Sequence, residues 1–194
     1  MKTGFALALL VSGAGMVAAG EPSTLGAKPP RGAVVLFDGS NLDAWATKSG
    51  KDWLKEGGPA SWKLVEVAGA RVMEIVPAAD SLLSRRKFGD ARVHLEFRTL
   101  VAPTNSGIYL QARYEVNINE SYGREDVTPC GGLDNCSDMK PAVRASRPMG
   151  EWQTLEIDFE APRFDAAGKK TASARATVRL NGVKLYDRQE LNPP

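Results

Sequence analysis

The chain has 194 residues, 25% of them charged, and its formal net charge is only +2. Because Lys and Arg are scattered along the chain rather than clustered, this near-neutral balance argues against a nucleic-acid-binding protein. The hydrophobic share of 43% is enough for a core, and the length is consistent with one domain.

The N-terminus has the features of an export signal. Lys2 provides a short positive segment, residues 5–11 are mostly apolar, and small residues precede Gly20. We therefore predict that residues 1–20 are a secretory signal peptide and that the mature protein is periplasmic or secreted. No cysteine for a lipid anchor lies near the cleavage point, and no later stretch is long and apolar enough to span a membrane. The Pro-rich residues 21–32 are predicted to be a linker.

Short alternating or apolar runs, separated by turn residues, fill the rest of the chain. They predict strands over residues 34–37, 62–67, 71–76, 91–100, 106–119, 152–162, 173–182 and 183–187. Asn181-Gly182 is typical of a tight hairpin turn, and Ala68-Gly69 separates the two strands of another predicted hairpin. No window of comparable length has a period of 3.6 residues. We therefore predict one all-β domain over residues 33–194, a β-sandwich or jelly roll.

Two of the predicted strands carry an unusual set of polar residues on one face. These are His94, Glu96 and Arg98 on the first strand, and Gln111, Arg113, Glu115 and Asn117 on the second. If the two strands are neighbours, one outer sheet face presents carboxylates, guanidinium groups and amides to a polar ligand. The alternative is a solvated face with cross-strand ion pairs.

Cys130 and Cys136 are the only cysteines and lie close together in a Gly-rich segment. In an exported protein this pair predicts a disulfide that closes a small loop, with free thiols as the alternative. His94 is the only histidine, so the sequence gives little support for a Cys/His metal site.

Five segments, taken in order, resemble one family. They are LFDGSNLDAW (36–45), SWKLVEV (61–67), SLLSRRKFGDARVHLEFR (81–98), NSGIYLQARYEV (105–116) and GEWQTLEIDFEAPRFDAAGK (150–169). Together they resemble the 3-keto-disaccharide hydrolase domain family, formerly a domain of unknown function. The resemblance implies a concanavalin-like jelly roll of two antiparallel sheets. Because family members continue beyond the position where this chain ends, it also implies that the last strands are missing.

The resemblance implies a hydrolase that acts on 3-keto glycosides and disaccharides. A ketone at C3 acidifies the C2 hydrogen, so a base can remove it, the glycosidic oxygen at C1 leaves by elimination, and water then adds. The catalytic candidates are Glu115 as the base, Glu96 as a second candidate base, and Arg98 and Arg113 as stabilisers of the oxyanion. The candidates for binding the carbohydrate are Asn105, Gln111, Asn117, Glu120 and Trp53. A divalent cation in place of an Arg is an alternative, although no spacing specifies its ligands.

Two other functions fit the same fold. Residues 156–160, Glu-Ile-Asp-Phe-Glu, resemble the catalytic strand of retaining laminarinase-type glycosidases, which use alternating carboxylates such as Glu156, Asp158 and Glu160. A non-catalytic carbohydrate-binding module would use the polar face to bind sugar hydroxyl groups alone. A pocket that excludes water favours an enzyme, whereas a shallow face favours the module.

Overall fold

The computed structural model describes residues 5–8, 24–76, 78–134, 136 and 139–192, and for residues 5–8 it describes the backbone alone. These residues form strands and turns without an α-helix, and among them no helix has the length and hydropathy to cross a membrane. The strands are β1 (Phe5–Ala8), β2 (Trp45–Ser49), β3 (Asp52–Pro59), β4 (Lys63–Val67), β5 (Ala70–Glu74), β6 (Leu82–Ser84), β7 (Ala91–Thr99), β8 (Asn105–Leu110), β9 (Tyr114–Asn119), β10 (Leu133–Asp134), β11 (Gln153–Glu160), β12 (Arg163–Phe164), β13 (Lys170–Ala172), β14 (Ala174–Leu180) and β15 (Val183–Leu191).

The strands build the predicted jelly-roll sandwich. One layer is a seven-stranded antiparallel sheet in the order β15-β14-β11-β7-β1-β5-β4. A three-stranded sheet, β10-β9-β8, packs against it, and a further three-stranded sheet has the order β3-β2-β6. The main core lies between the first two sheets, where Phe97 and Leu155 belong to the same buried cluster as Val116 and Ile118.

The two polar strand faces lie on opposite sides of this core. Leu95 and Phe97 of β7 and Val116 of β9 point into the same core. Because successive side chains of a strand alternate, Glu96 and Glu115 point out of the sandwich in opposite directions. The premise that the two polar strands are neighbours is therefore wrong, since β7 and β9 belong to different sheets.

Residues 106–119, predicted as one strand, form a hairpin instead. β8 ends at Leu110, which pairs with Tyr114 at the start of β9. Gln111 and Ala112 adopt positive φ angles of 52° and 55°, so the chain reverses between them and β9. Gln111 and Arg113 consequently lie in the turn and do not share a strand face with Glu115.

Two predicted hairpins are confirmed, and one predicted strand is wrong. β4 pairs with β5 across residues 68–69, and β14 pairs with β15 across the turn at residues 181–182. Residues 34–37 lie outside every strand of the described chain. Directly after them, the Ser40 N–H donates to the Asp38 carboxylate at 2.8 Å, which is a local turn that competes with strand pairing.

Part of the predicted signal peptide forms a strand. The rest of residues 1–20 lies outside the described residues, and signal cleavage stays a prediction. β1 runs antiparallel to both of its neighbours, with Leu7 opposite Phe97 of β7 and opposite Met73 of β5. In the uncleaved chain, β1 therefore separates two strands that are parallel to each other.

Deletion of residues 1–20 is expected to lower the free energy of unfolding by about 2–5 kcal/mol, since each net backbone hydrogen bond is worth about 0.5–1.5 kcal/mol. β1 is aligned with four residues of β7 and two of β5, and these edges lose their partner. Urea unfolding and amide exchange of residues 70–74 measure the effect. A Leu7→Pro variant of the full chain should change both quantities in the same direction. Equal stability and equal exchange in the deleted protein would contradict the prediction.

Candidate active site

One polar cluster lies on the outer face of the β10-β9-β8 sheet. The register places Tyr109 and Asp134 on either side of Glu115, and alternation puts Asn117 and Asn119 on the same face. We call these five residues the β9 site. Glu115 and Asn117 are buried, whereas Tyr109, Asn119 and Asp134 are partly exposed, so the cluster has a buried floor and an accessible rim.

The Glu115 carboxylate is held in place by β8. The Tyr109 hydroxyl donates a hydrogen bond to Glu115 Oε2. Next to Tyr109 on the same strand face, Gly107 leaves room for the carboxylate, because a Cβ there would lie 2.8 Å from Glu115 Cγ and 3.0 Å from Cδ. The carboxylate thus lies directly against the Gly107 backbone, with only 9% of the residue exposed to solvent.

Trp53 of β3 lies at the rim of the β9 site. Its ring centroid is 4.9 Å from that of Tyr109, with an angle of 32° between the two ring planes. Lys48 of β2 places its ammonium group 5.6 Å from the Trp53 ring centroid, a cation–π contact. The Trp53 and Tyr109 rings therefore form an aromatic wall beside the carboxylate, and both are partly exposed.

The amides of Asn117 and Asn119 provide further oxygen atoms. Asn117 Nδ2 donates to Asp134 Oδ2 at 3.0 Å, and Asn119 Nδ2 donates to the Thr128 carbonyl at 2.6 Å. The two Oδ1 atoms are buried and have no hydrogen-bond partner among the described residues. Within that same part of the chain, no three His, Cys, Asp or Glu residues are grouped so as to hold a metal ion.

The remaining predicted residues near β9 lie at its ends. Asn105 is opposite Asn119 at the exposed start of β8. Glu120 follows β9 and forms an ion pair with Arg124 at 3.4 Å. In the turn at the other end, Gln111 Nε2 is 3.5 Å from the Phe88 carbonyl, and Arg113 is exposed.

A second polar cluster lies on the outer face of the seven-stranded sheet. Glu96 is 1% exposed and accepts a hydrogen bond from the Gly26 N–H. His94 lies between two carboxylates, with Nε2 3.7 Å from Glu96 and Nδ1 3.6 Å from Glu156. The nearby carboxylate of Glu96 is the main reason why the pKa of His94 is raised above its usual value. Since this cluster is on the opposite side of the core, Glu96 cannot contact a ligand held by Glu115.

Arg98 also belongs to this opposite face. Its guanidinium carbon is 5.2 Å from the centroid of the Trp152 ring, a cation–π contact. The structure therefore does not bring Arg98 together with Glu115. Arg113 lies exposed in the turn that precedes β9.

The raised pKa of His94 predicts a pH-dependent contribution to stability. Since its pKa is higher in the folded than in the unfolded chain, this contribution is fully present below the unfolded value of 6.5 and is lost as the pH rises through the folded value. His94→Gln should therefore destabilise the protein more at about pH 5.5 than at about pH 8.5. Urea unfolding at both pH values checks this result, with the exposed-site variant Lys63→Gln as the control. NMR titration of this single histidine would contradict the prediction if the pKa were below 6.5.

The carboxylates of β11 form cross-strand ion pairs. Asp158 is bonded by Arg92 at 2.6 Å and by Arg179 at 3.0 Å. Burial alone would raise the pKa of Asp158, but the hydrogen bonds from these two arginines lower it below its usual value. Glu160 pairs with Arg188 at 2.7 Å. This arrangement favours a solvated strand face over the nucleophile and acid of a retaining glycosidase.

The predicted disulfide is not present in the structure, where Cys130 and Cys136 are free and buried. The two sulfur atoms lie near different main-chain carbonyls of β9, that of Asn117 at 3.7 Å and that of Glu115 at 4.0 Å. Burial raises the pKa of the Cys130 thiol to about 12, which suppresses the reactive thiolate. Both cysteines act as core residues beneath the β9 site.

Several residues of the β9 site and its rim were missed by sequence reasoning. Tyr109 and Gly107 share the face of Glu115, and they were missed because the turn at residues 111–113 contains no Gly or Pro to signal it in the sequence. Asp134 and Lys48 reach the site through pairing and packing that no local pattern specifies.

Comparison with known proteins places this chain in a family. A family model described as a 3-keto-alpha-glucoside-1,2-lyase-like domain matches residues 32–194. The chain belongs to this family. The predicted family resemblance is thereby confirmed.

A solved structure shows the same architecture. It is the crystal structure of a "putative glycosyl hydrolase" from Parabacteroides distasonis, with a TM-score of 0.70 and 29% sequence identity. The match covers 83% of this chain and 66% of the Parabacteroides chain, slightly less than two thirds of its length. No curated protein matches the sequence at a significant level.

Proposed function

We propose that this protein cleaves 3-keto glycosides, with Glu115 as the base that removes the C2 proton. The family match and the glycosyl hydrolase description of the Parabacteroides relative support a glycoside as the substrate. The observation that carries the catalytic proposal is the Glu115 carboxylate, which is almost buried, is bonded by Tyr109 and lies beside a partly exposed aromatic wall.

In the proposed reaction, Glu115 takes the C2 proton and the electron pair of the C2–H bond moves toward the C3 carbonyl, whose oxygen becomes an enolate. The enolate then re-forms the ketone and expels the oxygen at C1, which takes a proton from water and departs as the alcohol, and a C1–C2 double bond remains. The resulting hydroxide adds at C1 and Glu115 returns its proton to C2, which gives the 3-keto sugar and restores the carboxylate. A base that is partly removed from water suits the first step, because a carboxylate is then less well solvated.

Tyr109 provides a hydrogen-bond donor to the proposed base. Its hydroxyl is bonded to Glu115, and the residue as a whole is partly exposed. The bond fixes the orientation of the base in the resting site. Trp53 supplies an apolar ring surface of the kind on which a sugar ring stacks.

The proposal is tested by an assay of reducing-sugar release. The full chain is given 3-keto-trehalose, trehalose and laminarin in parallel. Cleavage of the keto sugar alone supports the proposed elimination. Cleavage of laminarin that is lost in Glu156→Gln would instead support the retaining glycosidase. A folded protein that binds the sugars and cleaves none of them would be a carbohydrate-binding module.

A further inference from the structure

Two buried amide oxygens of the β9 site point to the chemistry of its ligand. Asn117 is 4% exposed, and the Oδ1 atoms of both Asn117 and Asn119 are buried without a hydrogen-bond partner in the described chain. Buried acceptors of this kind are normally satisfied, and an unsatisfied one carries a cost of desolvation. The two side chains lie on one strand face, two residues apart, and Asn117 is in turn two residues from the proposed catalytic carboxylate of Glu115.

The identity of the two atoms follows from their neighbours. The other end of each amide faces an oxygen that only accepts hydrogen bonds, the carboxylate of Asp134 at 3.0 Å and the carbonyl of Thr128 at 2.6 Å. An amide turned by 180° would place its oxygen against these acceptors, which is repulsive. The NH₂ group of each side chain must therefore face its neighbour, and the carbonyl oxygen must be the atom that is left for a ligand.

The groups nearest to Asn117 on this face are also acceptors. Asp134 accepts the bond from the Asn117 amide and lies opposite Glu115, and both residues contribute carboxylate oxygens. A ligand that offers only acceptors at this position would be repelled, because two acceptor oxygens cannot form a hydrogen bond with each other. A ligand that offers O–H donors would satisfy both amides at once.

We propose that Asn117 and Asn119 form a pair of acceptors that binds two hydroxyl groups of the sugar as hydrogen-bond donors. This inference rests on the proposed glycoside substrate but not on the elimination step. It assigns a role to Asn119, which the sequence analysis did not include among the site residues. It also makes specificity depend on whether each sugar group donates or accepts its hydrogen bond.

The test compares hydroxyl groups with fluorine atoms. The probe is methyl α-D-glucopyranoside, which has no ketone at C3 and which the proposed elimination cannot cleave. Analogues replace the hydroxyl at one carbon, C2, C3, C4 or C6, by hydrogen or by fluorine, and Kd is measured by calorimetry. At two of the four carbons, the deoxy and the fluoro analogue should both bind roughly two- to tenfold more weakly than the parent glucoside. The fluoro analogue should bind no better than the deoxy analogue, because fluorine can accept a hydrogen bond but cannot donate one.

Two variants connect the ligand positions with the residues. In Asn119→Ala, the ratio of the fluoro and parent Kd values at one of the two positions should fall to about 1. Asn41→Ala in an exposed loop is the matched control, and it should leave every ratio unchanged. The Kd values of the deoxy and fluoro analogues with the unaltered protein test the inference without any variant. The test therefore remains even if Asn119→Ala folds poorly.

Three results would overturn the inference. One is binding of all fluoro analogues as tightly as the parent. Another is the absence of saturable binding of the parent glucoside. The third is tight binding of Ca²⁺ that is lost in Asn119→Ala, because the oxygens would then be cation ligands. Failure of keto-sugar cleavage would refute the proposed function without changing these binding ratios.

Discussion

Glu115→Gln is expected to reduce kcat for 3-keto-trehalose by about 10²–10⁴-fold, the usual contribution of a general base. The amide cannot take up the C2 proton, whereas its size and its remaining carbonyl oxygen preserve the packing against Gly107 and the bond from Tyr109. Steady-state kinetics should therefore show a large fall in kcat with a smaller change in KM. Thermal unfolding should show that the variant is folded.

The matched control for this variant is Glu156→Gln on the opposite face of the sandwich. Glu156 lies near His94 and is not part of the β9 site, so its replacement should leave kcat within about twofold of the unaltered protein. Full activity in Glu115→Gln would exclude Glu115 as the base. Loss of activity in Glu156→Gln alone would move the site to β11.

Gly107→Ala is expected to lower kcat by about 100-fold, since a displacement of about 1 Å in a reacting group has an effect of this size. The new Cβ would lie 2.8 Å from Glu115 Cγ and 3.0 Å from Cδ, so the carboxylate must move away from its position beside Tyr109. Overpacking of this kind also costs about 1–3 kcal/mol of stability. Kinetics together with urea unfolding measure both effects.

Gly58→Ala is a matched control because it adds the same methyl group to another strand glycine. At position 58 the nearest atom to the new Cβ would be Thr47 Oγ1 at 3.6 Å, an ordinary contact. This variant should keep its kcat and lose little stability. If Gly107→Ala were destabilised but fully active, the position of the Glu115 carboxylate would not matter for the reaction.

Much of the fold could be predicted because strands leave a local signal. Alternating residues and the Asn181-Gly182 turn specify β14 and β15 without any knowledge of the partner sheet. The single long strand over residues 106–119 was wrong because the turn at Gln111 and Ala112 contains no Gly or Pro to mark the positive φ angles. The short strands β10 and β12 depend on pairing rather than on a pattern of their own.

The candidate site was predicted only in part. Glu115, Asn117 and Trp53 are brought together, because Glu115 and Asn117 are two residues apart on one strand and Trp53 packs against the neighbouring Tyr109. Glu96 and Arg98 were assigned to the same surface on the basis of their strand pattern, and that pattern cannot tell which sheet a strand joins. The structure places them behind the core.

The sequence by itself determined that this chain is an all-β sandwich of the 3-keto-sugar family, since strand periodicity, turn residues and family segments are properties of neighbouring residues. Only the tertiary structure decided which polar face contains the candidate site and which residues complete it. Tyr109, Gly107 and Asp134 meet Glu115 across strand pairs, and cross-strand distances depend on register and sheet order. Register and sheet order are in turn fixed by the burial of both inner faces in one core, which no single segment specifies.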